Sequence, residues 1–154
     1  MIPTFFRALA RLLVVLFILA AVPLSGAGTA EAATAPDEPQ ANYLWARSNE
    51  LRRSHGLRML RTLDPVMARA RRLAARLAAR GVLQHSNLYE IAPSWTAAGE
   101  NLGRSANVQD VTTRLFRSPD HRHNILDGRF THTGVGTARS GNGTVYVVQL
   151  FWRG

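Results

Sequence analysis

From Ala41 to Ser54 the chain places apolar or small residues at Ala41, Leu44, Trp45, Ser48 and Leu51, the spacing of a helix with one buried face, and Gly56 supplies its stop. A second helical stripe runs through Met67, Ala70, Leu73, Ala74 and Leu77. It opens with Asp64 as N-cap and Pro65 at the first helical position, and ends at Gly81. Leu88 to Thr96 shows no period and reads as a loop; Ala106 to Phe116 fits a third helix. The period then falls to two. Two β-rich runs between Thr133 and Trp152 flank "SGNG", which predicts a hairpin turning near Asn142 and Gly143. In its second run Val145, Val147, Gln149 and Phe151 share one side, and Tyr146, Val148, Leu150 and Trp152 the other. Both sides are mostly apolar, so the strand is expected between helices, in an α+β fold of three layers: an α/β/α sandwich with a small antiparallel sheet inside.

The N-terminus follows another logic. Arg7 and Arg11 precede an uncharged run from Leu12 to Leu24, and "TAEAATA" follows. The run is short for a membrane span of about 20 residues, and the small residues suit a signal peptidase, so residues 1–32 read as a signal peptide cut after Ala32. An uncleaved anchor is the alternative. In both cases the remainder, a flexible lead-in over 33–40 and one domain over 41–154, is expected to work outside the cytoplasm, secreted or held at the cell envelope.

Composition narrows the chemistry. There is no cysteine, which excludes a disulfide framework, thiol catalysis and cysteine-bound zinc. An exported domain without cysteine points towards a bacterium. The net charge is +9, all 19 basic residues are arginine, and the net becomes +8 once Arg7, Arg11 and Glu31 leave with the signal peptide. Such a field favours anionic partners, outside a cell an anionic lipid or acidic polymer before any specific nucleic acid. Arg69, Arg72, Arg76 and Arg80 line one side of the second helix. Its apolar stripe, dominated by alanine, is too small to insert into a membrane, so the arginine side reads as a solvated face.

The segment "SPDHRHNIL" begins another helix, with Ser118 as a hydroxyl N-cap, Pro119 at the first position and Asp120 in the first turn. On a helix His121 and His123 lie about 200° apart and cannot readily clasp one metal ion. His85 in "QHSN" and Glu100 in "GEN", at the end of the loop, are the other polar candidates, each matched by the plain reading of a surface turn residue.

Together "NELRRSHGL", "GENLG", "SPDHRHNIL", "FTHTGVG" and "GTVYVVQLF" resemble the bacterial CAP, or SCP-like extracellular, domains, relatives of cysteine-rich secretory proteins, antigen 5 and plant pathogenesis-related proteins. The resemblance covers Ala41 to Trp152. It implies the α/β/α sandwich and a cleft built on two histidines and two glutamates. His85, Glu100 and His121 match three of the four; the remaining glutamate falls at Ser118, and the tryptophan before it at Leu115. Cleft residues are therefore His85, Glu100, Ser118 and His121. His85 and His121 would be ligands for zinc or another divalent cation. A binding module for an extracellular or envelope ligand, lipids included, is the first functional expectation. A zinc-dependent hydrolase using His85, Glu100 and His121 is the second, and an extracellular nuclease ranks last.

Overall fold

A computed structural model describes residues 38–88 and 96–153. The expected signal peptide, its cut after Ala32 and most of the loop read over Leu88–Thr96 lie outside the described residues. Helix α1 spans Glu38–Ser54, strand β1 Arg61–Thr62, helix α2 Asp64–Arg80 and strand β2 Ala97–Ser105. They are followed by helices α3, Val108–Arg117, and α4, Pro119–Leu126, then strands β3, His132–Arg139, and β4, Val145–Arg153. The strands form one sheet in the order β1-β3-β4-β2, with β1 parallel to β3 and the other pairs antiparallel.

The three layers follow from the two faces of β4. Val145, Val147 and Phe151 pack with Leu44 of α1, Val111 and Leu115 of α3 and Ile125 of α4. Tyr146, Val148 and Leu150 pack with Ala70, Leu73, Ala74 and Leu77 of α2. Helix α2 therefore covers one face alone, and it sits unusually close. A Cβ on Gly134 or Gly136 of β3 would overlap the α2 backbone at Val66 and at Ala70. The "GVG" of the sequence is thus a seat for a helix, and the alanine stripe of α2 is small because there is room for nothing larger.

Several boundaries differ from the sequence pattern. Glu38 and Pro39, ahead of Ala41, are already helical, and Glu38 makes an ion pair with Arg71 of α2. The cap of α2 is Leu63 and not Asp64, with Asp64 acting as the acidic residue of the first turn. Gly81 does close α2, in the left-handed conformation at φ 68°. Helix α3 starts at Val108, since Asn107 is its cap and accepts a hydrogen bond from the Asp110 backbone at 2.8 Å. The larger correction is β2. "AAGENLGRS" carries glycine, asparagine and glutamate, which are poor strand formers, yet all nine residues pair with β4. The same pairing makes β2 the edge strand and fixes the direction of each of its side chains.

Two residues of "NELRRSHGL" hold the connections. The Asn49 side chain donates to the Leu60 carbonyl at 3.1 Å and accepts from its N–H at 2.7 Å, acting as a strand partner for the segment leaving α1. Arg52, only 1% exposed, donates to the carbonyls of Arg58, Ile125, Asp127 and Phe130 at 2.7–3.3 Å. Burial lowers its pKa, and the nearby Asp127 charge partly offsets this. The guanidinium thus ties α1 to the segment between α4 and β3.

Candidate functional site

Glu100 and Asn101 are neighbours on β2 and so point to opposite faces of the sheet. Glu100 faces the α2 side, where the chain leaving Gly81 brings His85 and Ser86. Its side chain is 2% exposed, yet its carboxylate is fully occupied. Oε1 accepts from His85 Nδ1 at 2.8 Å and from the Ser86 N–H at 2.9 Å, and Oε2 accepts from Ser86 Oγ at 2.8 Å. A carboxylate only accepts, so the bond needs the His85 proton on Nδ1, and in the neutral ring that leaves the lone pair on Nε2. The His85 side chain is 64% exposed.

Asn101 faces the other helical layer. Its side-chain amide donates to the His121 carbonyl at 3.0 Å, and its Oδ1 accepts from Asn124 at 2.9 Å. Asn124, one helical turn beyond His121, also reaches the Glu100 carbonyl at 3.4 Å. Helix α4 is thereby pinned to the edge strand beside Glu100. His121 Nδ1 lies 2.8 Å from Ser118 Oγ, which corrects the reading of Ser118 as a hydroxyl cap: it occupies the N-cap position, but its side chain makes no capping bond. A ring nitrogen one turn away competes for the hydroxyl, and Pro119 leaves one fewer backbone N–H to cap.

Burial, and next the neighbouring His85, lower the His121 pKa below 6.5, with Asp120 partly opposing them. His85, in the chain leaving α2, and His121, on α4, are thus tied to neighbouring residues of β2, Glu100 and Asn101, on its two faces. His123 is exposed, and its charge acts on Asp127 instead. His121 and His123 do face apart.

Glu100 is therefore in a strand, not at the end of a loop, and acts on the site through His85. Among the described residues no group of three or more His, Asp or Glu side chains is gathered to hold a metal ion. His85 and His121 each have Nδ1 engaged by a neighbour, which leaves Nε2 as the ring nitrogen open to a ligand. Metal-bound histidines are commonly oriented in this way. Sequence reasoning missed Ser86 and Asn124. They stand in the quoted segments "QHSN" and "SPDHRHNIL", next to or one turn from a histidine, which was the available signal.

A three-layer α/β/α sandwich around one four-stranded sheet defines the class of domain. A family model described as the cysteine-rich secretory protein family, CAP, matches residues 45–151, and the chain belongs to that family although it has no cysteine. It is a CAP-domain protein. A search of curated proteins by similarity gave no match. Among solved structures, an outer surface protein of Borrelia burgdorferi shares the fold with a TM-score of 0.69 and 17% identity, over 78% of this chain and 98% of that one. A cysteine-rich secretory protein of Staphylococcus aureus and an extracellular SCP-domain protein of Bacillus anthracis each give a TM-score of 0.64 at 18% identity. They cover 77% of this chain, which spans only 40% and 41% of theirs.

Proposed function

We propose that this chain is an exported binding module for a cell-envelope or extracellular ligand, with a cleft in which His85 and His121 hold a divalent cation through Nε2. The observation that carries the reading is the pairing of each Nδ1. Glu100 fixes one imidazole in the ligating tautomer, and Ser118 Oγ can accept from the other, leaving both Nε2 lone pairs for a shared ion. A bound zinc would supply Lewis acidity and an open coordination position; the chain itself supplies orientation.

Calorimetric titration with zinc tests it. Wild type should bind. His85→Ala and His121→Ala should each lose affinity by tenfold or more, and Glu100→Ala, which frees the His85 ring, by roughly 10 to 100-fold. His123→Ala should bind as wild type does, and Ser118→Glu should bind more tightly by adding a carboxylate. Loss in His123→Ala with His121→Ala unaffected, or no binding by wild type, overturns the proposal. Affinity should fall as pH drops below about 6, where imidazoles take up protons. With its pKa held below 6.5, His121 stays unprotonated to lower pH than a free imidazole. The sign for folding is the same: unfolded His121 binds its proton more readily, so its contribution to stability is full above 6.5 and is lost as pH falls through the folded value.

The export reading rests on the charged start and the uncharged run from Leu12 to Leu24. N-terminal sequencing of secreted protein should begin at Ala33 or within a few residues, whereas Met1 intact on a membrane fraction would establish the anchor.

A further inference from the structure

The outer face of α2 does more than face solvent. Arg69, Arg76 and Arg80 line a cavity of about 340 Å³ together with Leu77, His85 and Ser86. Only one acidic residue, Asp64, lies on α2, at the opposite end. Arg76 and Arg80 are exposed and have no acidic partner among the described residues. Arg69 is half-buried; burial lowers its pKa, repulsion from Arg72 and Arg76 lowers it further, and Glu100 opposes both. Positive charge is therefore concentrated where the helix meets the cleft.

We infer that this cavity is an anion subsite that takes a phosphate ester, placing the rest of the ligand against His85. It rests on the proposed reading of the cleft as a ligand site, but not on the cation. Arginine presents a planar fork that matches phosphate or carboxylate oxygens. Three such cations around one cavity suit a phosphate ester better than a single carboxylate, and along the helix they span about 16 Å, room for the ester and the group it carries. Directly after Arg80 and Gly81, Val82 and Leu83 are 39% and 42% exposed, two of only three large apolar side chains so exposed among the described residues. An apolar pair beside a phosphate subsite is what the phosphate of a lipid headgroup would meet.

The test is binding of glycerol phosphate by calorimetry, and of phosphatidylglycerol and phosphatidylcholine vesicles by sedimentation, all with chelator present. Wild type should bind glycerol phosphate and phosphatidylglycerol. Arg76→Gln with Arg80→Gln should lower both affinities about tenfold or more, while Arg114→Gln with Arg117→Gln, which removes equal charge from α3, should not. If Val82→Ser with Leu83→Ser weakens vesicle binding alone, the phosphate is a lipid's; if vesicles bind no better than glycerol phosphate, it is a soluble ester's. Equal loss in the α3 control, or no loss in the α2 pair, overturns the subsite. So does binding that appears only when zinc replaces the chelator, since the anion would then be sitting on the metal. His121→Ala should leave glycerol phosphate binding intact, so the zinc reading and the subsite can fail separately.

Discussion

Arg52→Met is expected to lower stability by about 4 kcal/mol, on the order of 15 °C in melting temperature, or to abolish folding. Methionine fills much of the same space, so loss of packing is a small part of the effect. The cost comes from four carbonyls, of Arg58, Ile125, Asp127 and Phe130, that share one donor group in a buried place and would be left without it. Arg53 stands beside it but is exposed, and Arg53→Met should change stability by less than about 0.5 kcal/mol. Chemical denaturation of the two variants checks the pair. Equal small effects would mean that water replaces the guanidinium, and the segment from Ile125 to Phe130 is then not held by it. Because α4 ends in that segment, the same substitution should loosen His121 even in protein that still folds.

Gly136→Ala is expected to cost about 3 kcal/mol or more, a penalty from one methyl group. Its Cβ would overlap the carbonyl group of Ala70 and the N–H of Arg71, which are backbone atoms of α2 and cannot rotate aside. The helix must lift from the sheet. Gly141→Ala, in the hairpin loop with open space around its Cβ, should be neutral within about 0.5 kcal/mol. Thermal melting separates the two. If Gly136→Ala melts with wild type, α2 does not rest on β3 as described. Lifting α2 would also draw His85 from Glu100, so zinc affinity should fall alongside stability.

These two positions show what the sequence makes legible. The alternation of Val145 to Trp152 reveals a strand buried on both faces, because β-branched and aromatic residues at period two seldom build anything but a covered strand. That alone implies helices above and below, and helices α1 to α4 are each visible from apolar spacing or from proline and glycine at their ends. Strand β2 is not visible. Its residues would prefer a turn, and it is a strand because the β4 backbone beside it needs a partner. The two-residue β1 is too short to carry a pattern at all. The site shows the same division. Family resemblance assigns His85, Glu100 and His121, whereas the roles of Ser86 and Asn124 depend on distances across the sheet edge that no local pattern encodes. Ser118 has the sequence of a cap because serine before proline usually is one; a histidine one turn later takes the hydroxyl.

The strand order has a consequence for how the chain comes to be folded. β4 follows the other three strands in sequence, yet it lies inside the sheet, with β3 on one side and β2 on the other. Before β4 exists, β2 has no strand partner, and among the described residues the only strand pairing available is the two-residue match of β1 with β3. The pairing of β2 with β4 joins segments distant in sequence, and such contacts form slowly. The sheet therefore assembles only once β4 has been made, and a protein truncated after Arg139 should never acquire it.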